Sequence, residues 1–300
     1  MTNSFKNQIN KILILGHTCF IGKHLINDFK KRFPEIEIIG KSSQDIDLTV
    51  KNQVNTLTDI IDQNTIIIML AFNAKQSGAV LDNFNQNISM VNNLCFTLDK
   101  NAPARFFFLS TQAVYGEDNH NPNITESTAV NPTSYYGMAK YISEKLFWKT
   151  FSSNNKTSFV SARIPRIFGP YDNYNNYGPT MFTYRAFKNE PIAIWGDGLE
   201  FRDYLFVDDL ISIIQQLIFS SYQGIINIAS GKPYSFIDVL KVVESISRKK
   251  IKIEHKPRTS SKVDHIFNID NLRKLIGDFK FTPLENSINM CYSFLKKTYK

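Results

Sequence analysis

Lys11-Ile12-Leu13-Ile14-Leu15-Gly16-His17-Thr18-Cys19-Phe20-Ile21-Gly22 decides how this chain folds. Five apolar or β-favouring residues lead into a glycine turn, and residues 23–32 continue in helical spacing. Strand, turn and helix in that order form a recognisable unit. Gly16 permits the tight turn, the helix N-terminus offers unpaired amides to a pyrophosphate, and Gly22 lets helix and strand pack closely. The resulting expectation is a dinucleotide site with Gly16, Cys19, Phe20, Ile21 and Gly22 at the phosphates. The alternative is an ordinary strand-to-helix turn, because Cys19 stands where a middle glycine would let phosphate reach the backbone.

Residues 35–40 read as a second strand, followed by Gly40-Lys41-Ser42-Ser43. An acid at this point would hydrogen-bond the ribose hydroxyls of NAD, whereas a cation accommodates the 2′-phosphate of NADP. Lys41 therefore favours NADP(H), with NAD possible; a solvated turn lysine is the bland alternative. Asp47 and Leu48, in Asp45-Ile46-Asp47-Leu48, are expected at the adenine edge. Beyond them the pattern alternates: helix 50–62, strand 65–71 ending on Ala71, helix 82–100 and strand 105–109. Ala71 joins the expected dinucleotide contacts. Alternation of this kind gives an α/β fold, a Rossmann-type doubly wound parallel sheet with a smaller α/β C-terminal substrate lobe. The expected boundaries are 1–168, with 204–230 returning to it, for the dinucleotide domain, and 169–203 with 231–300 for the substrate lobe.

Composition narrows the class. Three hundred residues, 43% hydrophobic and 21% charged, suit a globular chain of this size. The longest apolar run, residues 65–72, is far short of the roughly 20 needed to span a bilayer, so no membrane span is expected. The N-terminus lacks the apolar core of a secretion signal, and three scattered cysteines suit a reducing compartment, which together point to the cytoplasm. Histidines and cysteines show no metal-ligand spacing. The net charge of +8 is spread along the chain, densest at residues 248–262 and 296–300. It reads as a solvated face able to attract a phosphorylated substrate rather than as a nucleic-acid footprint.

The fourth strand runs into Ser110-Thr111-Gln112-Ala113-Val114-Tyr115-Gly116. A hydroxyl just past the carboxyl end of a parallel strand faces a ligand crevice, so Thr111 is placed to bond a substrate oxygen, unless Ser110 or Thr111 only caps the next turn. Further on, Tyr136 and Lys140 share one helical face at four-residue spacing, where a lysine cation would favour the phenolate. Tyr141/Lys145, Tyr184/Lys188 and Tyr292/Lys296 repeat the spacing. Context selects the first pair, because Asn131-Pro132-Thr133-Ser134 supplies a loop and a cap immediately before Tyr136.

With the glycine turn, Thr111, Tyr136 and Lys140 in this order, the chain resembles the extended short-chain dehydrogenase/reductases, specifically their nucleotide-sugar epimerase, dehydratase and reductase group. The likeness extends to Asn87-Ile88, Arg163-Ile-Pro-Arg-Ile-Phe-Gly169-Pro170, Trp195-Gly196-Asp197-Gly198, Arg202-Asp203-Tyr204, Val207-Asp208-Asp209-Leu210 and Asn227-Ile-Ala-Ser-Gly231. It implies that Thr111, Tyr136 and Lys140 form a catalytic trio and that Asn87 and Lys140 seat the nicotinamide ribose. It further implies that Arg202 grips a sugar-nucleotide diphosphate, with Arg258 as a second phosphate contact. Arg166 occupies a substrate-contacting position that many relatives fill with asparagine. Gln112-Ala113 stands where 4,6-dehydratases carry an aspartate and a glutamate, and an amide and a methyl group cannot replace an acid and a base. The expectation is an NADPH-dependent reductase of a nucleotide-linked 4-keto-6-deoxy sugar. The alternatives are an NAD-dependent nucleotide-sugar 4-epimerase and, more remotely, a non-catalytic dinucleotide sensor. A homodimer is expected. The residues 171–179, rich in aromatic and amide groups, are expected to stack a base or bond sugar hydroxyls, a polar surface loop being the alternative. Two helix starts are expected at Ser235 and at a capping box in Thr282-Pro283-Leu284-Glu285.

Overall fold

The strand Thr65–Met69 is buried at every position, as a parallel strand covered on both faces must be. It lies inside a six-stranded sheet of order Gly224–Asn227, Ser158–Ile164, Arg105–Thr111, Thr65–Met69, Lys11–Leu15, Glu37–Lys41. Neighbours from Ser158–Ile164 across to Glu37–Lys41 pair in parallel. The expected doubly wound sheet is therefore present, together with a smaller five-stranded sheet and a two-stranded one. The computed structural model describes residues 2–74, 80–154, 156–174, 178–259 and 261–299. Two compact units emerge, one of Met1–Glu117, Thr128–Ile164 and Ile211–Ile226, the other of Asp118–Ser127, Pro165–Leu210 and Asn227–Lys300. Compared with the expected boundaries, residues 118–127 and 165–168 fall in the second unit and the returning segment is shorter.

In the first unit, aromatic packing fixes the elements that carry the site. Phe106 and Phe108 of the fourth strand meet Phe147 of the helix Tyr135–Asn154 at ring-centroid distances of 4.5 and 5.3 Å. All three are fully buried. Each such ring contributes roughly 1.5–3 kcal/mol by leaving water. Their combined effect is to hold that helix at a set height along the strand.

Local chemistry adjusts several expected boundaries. The helix expected over 50–62 is a helical turn, Lys51–Asn55, followed by a 3₁₀ turn, Thr56–Asp59. Thr56 and Thr58 turn their hydroxyls back onto the carbonyls of Gln53 and Asn55, which favours the tighter winding. The fourth strand continues through Ser110 and Thr111, which pair with Arg163 and Ile164. In the second unit Ser235 forms a full capping box with Asp238. Thr282 does not cap the last helix, Leu284–Thr298. Its amide and hydroxyl instead donate to Asp209 at 2.9 and 2.7 Å, a charge-assisted arrangement that outcompetes a cap. Leu284, Ile288, Cys291 and Leu295 are core residues.

Candidate active site

Gly16 adopts φ +90°, and a Cβ there would lie 2.7 Å from the Ala71 amide nitrogen. A Cβ on Gly22 would lie 2.6 Å from the Gly16 carbonyl oxygen. The turn therefore tolerates no side chain at either glycine. Cys19 caps the following helix, its Sγ accepting the Gly22 amide at 3.3 Å. This explains a cysteine at the middle-glycine position: it takes one amide that a phosphate could otherwise use. Phe20 packs edge-on against His24. Beside the turn, Leu15, Gly16, Lys41, Ser42, Ser43, Ile46, Asp47, Leu48, Ala71 and Met90 line a cavity of about 70 Å³. Apolar walls and a few polar groups at the end of the second strand suit the adenosine half of a dinucleotide.

Asp47 lines that cavity, and Asp45 stands two residues before it. Asp47 accepts from the Thr49 amide and hydroxyl at 2.9 and 2.7 Å, so it organises its own turn. Asp45 folds back to the end of the second strand, where its Oδ2 accepts the Ser42 amide and hydroxyl, both at 2.7 Å. Those bonds hold its carboxyl below the usual range, with the Lys41 and His17 charges adding to the effect. An acid thus stands beside Lys41 after all. The Ser42-Ser43-Gln44-Asp45 spacing carries a capping signal that could have located it.

The fourth strand and the helix Tyr135–Asn154 bring together Thr111, Tyr136 and Lys140, the trio expected from the sequence. Ser134 caps the helix, its Oγ accepting the Gly137 amide at 3.1 Å. Gly137 is required there, since a Cβ would lie 2.6 Å from the Ala113 carbonyl oxygen. The Thr111 side chain stands by the Tyr136 phenol and lowers its pKa. Thr111 Oγ1 also accepts the Ala113 amide at 3.2 Å, so capping and site duties coexist in one hydroxyl. Lys140 Nζ donates to the Leu109 carbonyl at 2.6 Å. It lies 4.0 Å from the Phe72 ring centroid, 4.6 Å from that of Phe108 and 5.9 Å from that of Tyr136.

All four tyrosine–lysine pairs meet, at 5.3 Å for Tyr141/Lys145, 5.9 Å for Tyr184/Lys188 and 4.8 Å for Tyr292/Lys296. What separates Tyr136/Lys140 is burial, because the other three lysines are exposed. Burial also reverses the expected electrostatics. Desolvation pushes the Tyr136 phenol up to about 12, Thr111 lowering it and Glu117 raising it. Desolvation likewise pulls Lys140 down to about 7, against the raising influence of Glu144 and Cys19. The phenol is thus raised rather than lowered, which leaves Tyr136 protonated at neutral pH.

Asn87, expected at the nicotinamide ribose, is buried and hydrogen-bonds both the amide (2.7 Å) and the carbonyl (3.0 Å) of Asn73. Asn73, Asn83, Phe84, Thr133, Ser134, Tyr135 and Tyr136 help line a cavity of about 290 Å³. Its amides, hydroxyls and ring faces suit a polyhydroxylated ligand, and sequence reading did not foresee it.

The second unit gathers the three arginines. Arg202 is buried; its Nη1 donates to the carbonyls of Phe201 (3.0 Å) and Val263, and its Nη2 lies 3.9 Å from Glu200. Burial, and then the Arg166 cation, push its guanidinium below the ordinary value. Arg258 bonds Glu200 and, at 2.9 Å, Asp197. Its guanidinium lies against Gly196, where a Cβ would be 2.7 Å from Nε. The ion-pair partner of Arg202 is thus Glu200, while the neighbouring Asp203 accepts from Ser230 and Gly231. Arg166, Asp172, Thr180 and Tyr204 help line a cavity of about 130 Å³. Of residues 171–179, Tyr171 packs on Phe294 and Tyr174 stacks on Tyr184, while 175–177 lie outside the described residues.

A family model described as the NAD dependent epimerase/dehydratase family matches residues 12–229. UDP-glucuronic acid decarboxylase 4 of Arabidopsis thaliana is 25% identical over 280 residues, covering 85% of this chain and 61% of that protein. The chain thus spans about three fifths of such relatives. An uncharacterized UDP-glucose epimerase of Bacillus subtilis is 23% identical over 322 residues, covering 97% and 99% of the two chains. Among solved structures, the UDP-glucose 4-epimerase of Thermus thermophilus in complex with NAD superposes with a TM-score of 0.82 at 21% identity, covering 95% of this chain and 99% of that one. That likeness shows the fold.

The buried lysine has a consequence for stability. Its folded value is about 7 against an ordinary 10.5, so between those values the unfolded chain binds the extra proton and stability rises with pH. Lys140→Met is expected to be more stable than the natural protein at and below pH of about 7 and to lose that rise. Urea unfolding at both ends of the 7 to 10.5 interval checks it; an unchanged slope would count against a desolvated ammonium.

Proposed function

Because the chain belongs to the NAD dependent epimerase/dehydratase family, we propose that it is an NAD(P)-linked enzyme acting at C4 of a nucleotide-linked hexose, with 4-epimerisation as its reaction. The observation that carries this reading is the placement of Thr111 by the Tyr136 phenol beside a buried Lys140 bonded to the Leu109 carbonyl. NAD(P), when bound, supplies the hydride acceptor and donor. Tyr136 gives its proton to a carbonyl oxygen or takes one from an alcohol, Thr111 holds that oxygen, and Lys140 places a cation nearby. Gln112 and Ala113 offer no acid and base for dehydration. Arg202, Arg258 and Arg166 are assigned to the substrate's diphosphate and nucleotide, since a planar guanidinium can bind two phosphate oxygens at once.

Reduction of a 4-keto-6-deoxy sugar by NADPH is the second reading, favoured by Lys41. The Asp45 carboxylate weighs against it. It occupies the Ser42 amide and hydroxyl that a 2′-phosphate would need, and its negative charge would repel one. The Tyr136 trio disfavours a silent sensor.

Leu81 and Phe96 on one helix, with Met138, Ile142 and Trp148 on the neighbouring one, supply exposed apolar surface that supports a homodimer.

Turnover, cofactor binding and association each test these assignments. Mixed with NAD and a panel of nucleotide hexoses, the protein is expected to yield the C4 isomer, seen by NMR, without net change in cofactor absorbance. Tyr136→Phe should lower kcat by about 10²–10⁴-fold while still binding dinucleotide. Stoichiometric NADPH loss with a 4-keto sugar would replace epimerisation by the second reading, and neither reaction would remove both. In fluorescence titrations, Asp45→Ala should improve NADP binding relative to NAD by about tenfold, as freed donors to a charged group would; an unchanged ratio contradicts the role given to Asp45. Sedimentation equilibrium should give a dimer that Trp148→Glu weakens, and a monomeric natural protein would rule that surface out.

A further inference from the structure

Behind the trio lies an ion pair to which neither the motif nor the proposed reaction gives a duty. Glu144 and Arg163 are each 2% exposed. Glu144 Oε1 accepts from Ser110 Oγ at 2.5 Å and from Arg163 Nε at 3.0 Å, while Oε2 accepts from Arg163 Nη2 at 2.6 Å. The Arg163 guanidinium in turn lies 4.9 Å from the Tyr115 ring centroid.

The register of these contacts is informative. Tyr136, Lys140 and Glu144 stand at i, i+4 and i+8 on one helical face. Three consecutive strand residues meet them: the Thr111 side chain meets Tyr136, the Leu109 carbonyl meets Lys140, and Ser110 Oγ meets Glu144. A buried pair that only stabilised the fold would be a poor choice, because well-packed apolar residues often serve equally well. Lys140, by contrast, needs a nearby anion. Its immediate surroundings are the rings of Phe72 and Phe108 and one carbonyl.

We propose that Glu144, clamped by Ser110 and Arg163, is a positioning residue that favours the charged form of Lys140 and aligns it within its apolar pocket. The proposal rests on the catalytic reading of Lys140 given above. Among the described residues, the other titratable and charged groups around Lys140 are Tyr136 on its own helix and Cys19 just before the helix Phe20–Arg32. Arg163 and Tyr115 stand behind Glu144, and Glu117 acts on Tyr136. Among the carboxylates, Glu144 is the one that raises Lys140, and it does so more than Cys19 does. Arg163, through its bidentate fork, holds the Glu144 carboxylate at one orientation.

The test is an NMR titration of isotope-labelled lysine in the full chain, with Lys140→Met identifying the resonance. Glu144→Gln should lower the Lys140 midpoint by about one pH unit or more, a tenfold loss of proton affinity. Glu144→Asp should retain most of it. Since Glu144→Gln leaves Arg163 unpaired, Glu144→Gln/Arg163→Met, which leaves no unpaired charge, carries the same expectation if the single variant does not fold. With a turned-over nucleotide sugar, the alkaline limb of the kcat profile should move down with the NMR midpoint while KM stays within about twofold. An unchanged midpoint in the folded double variant, or a change confined to KM, overturns the proposal. Absence of turnover in the natural protein would instead overturn the proposed reaction, and the NMR shift would still be read.

Discussion

A lysine ammonium taken out of water is the constraint around which the first unit is arranged. Lys140 is 3% exposed, and a buried cation persists only where partners replace its hydration. Here one carbonyl, two ring faces and a carboxylate one helical turn away take that part. Each partner demands close packing from a different element. The phenylalanine cluster between the fourth strand and the Tyr135–Asn154 helix fixes the height at which Leu109, Ser110 and Thr111 meet that helix. Sliding the helix by one residue would turn its working face by about 100° and break all three contacts together. The stability that the aromatic core contributes is partly opposed by the desolvated charge, a balance common where a site is strained for its task.

The sheet was legible in the sequence because its signals are local. The apolar strands, the φ-positive Gly16 and the Ser134 cap each announce themselves within a few residues. The choice of Tyr136 over three equivalent pairs was also legible, since a cap and a preceding strand hydroxyl are sequence features. What escaped was the result of tertiary competition. Spacing placed Lys140 near Tyr136 correctly, yet the sign of the effect depended on burial, which spacing does not encode. Thr282 carried the composition of a cap and was claimed by Asp209, seventy-three positions earlier. Glu144 looked like an ordinary helix residue until Arg163, nineteen positions on, was seen to fork onto it.

The cofactor end shows the same limit in a way that bears on chemistry. Read along the chain, Lys41 is the residue that follows the second strand. Read in space, the Asp45 carboxylate returns to that strand end. A short-range turn thus changes the charge presented at one strand end.

The arginines of the second unit can be argued one step further. Glu200 lies between Arg202 and Arg258, and Asp197 shares Arg258. In the proposed assignment a diphosphate would meet cations already oriented by carboxylates, so less side-chain freedom remains to be lost on binding. The same carboxylates compete for those cations. Arg202 escapes most of that competition, because main-chain carbonyls of Phe201 and Val263 hold one side of its fork and leave Glu200 no nearer than 3.9 Å. Arg258 is held closely by two carboxylates and must exchange one of them for a phosphate oxygen. On these geometries Arg202 gains more from a phosphate than Arg258 does, although both carry the same charge.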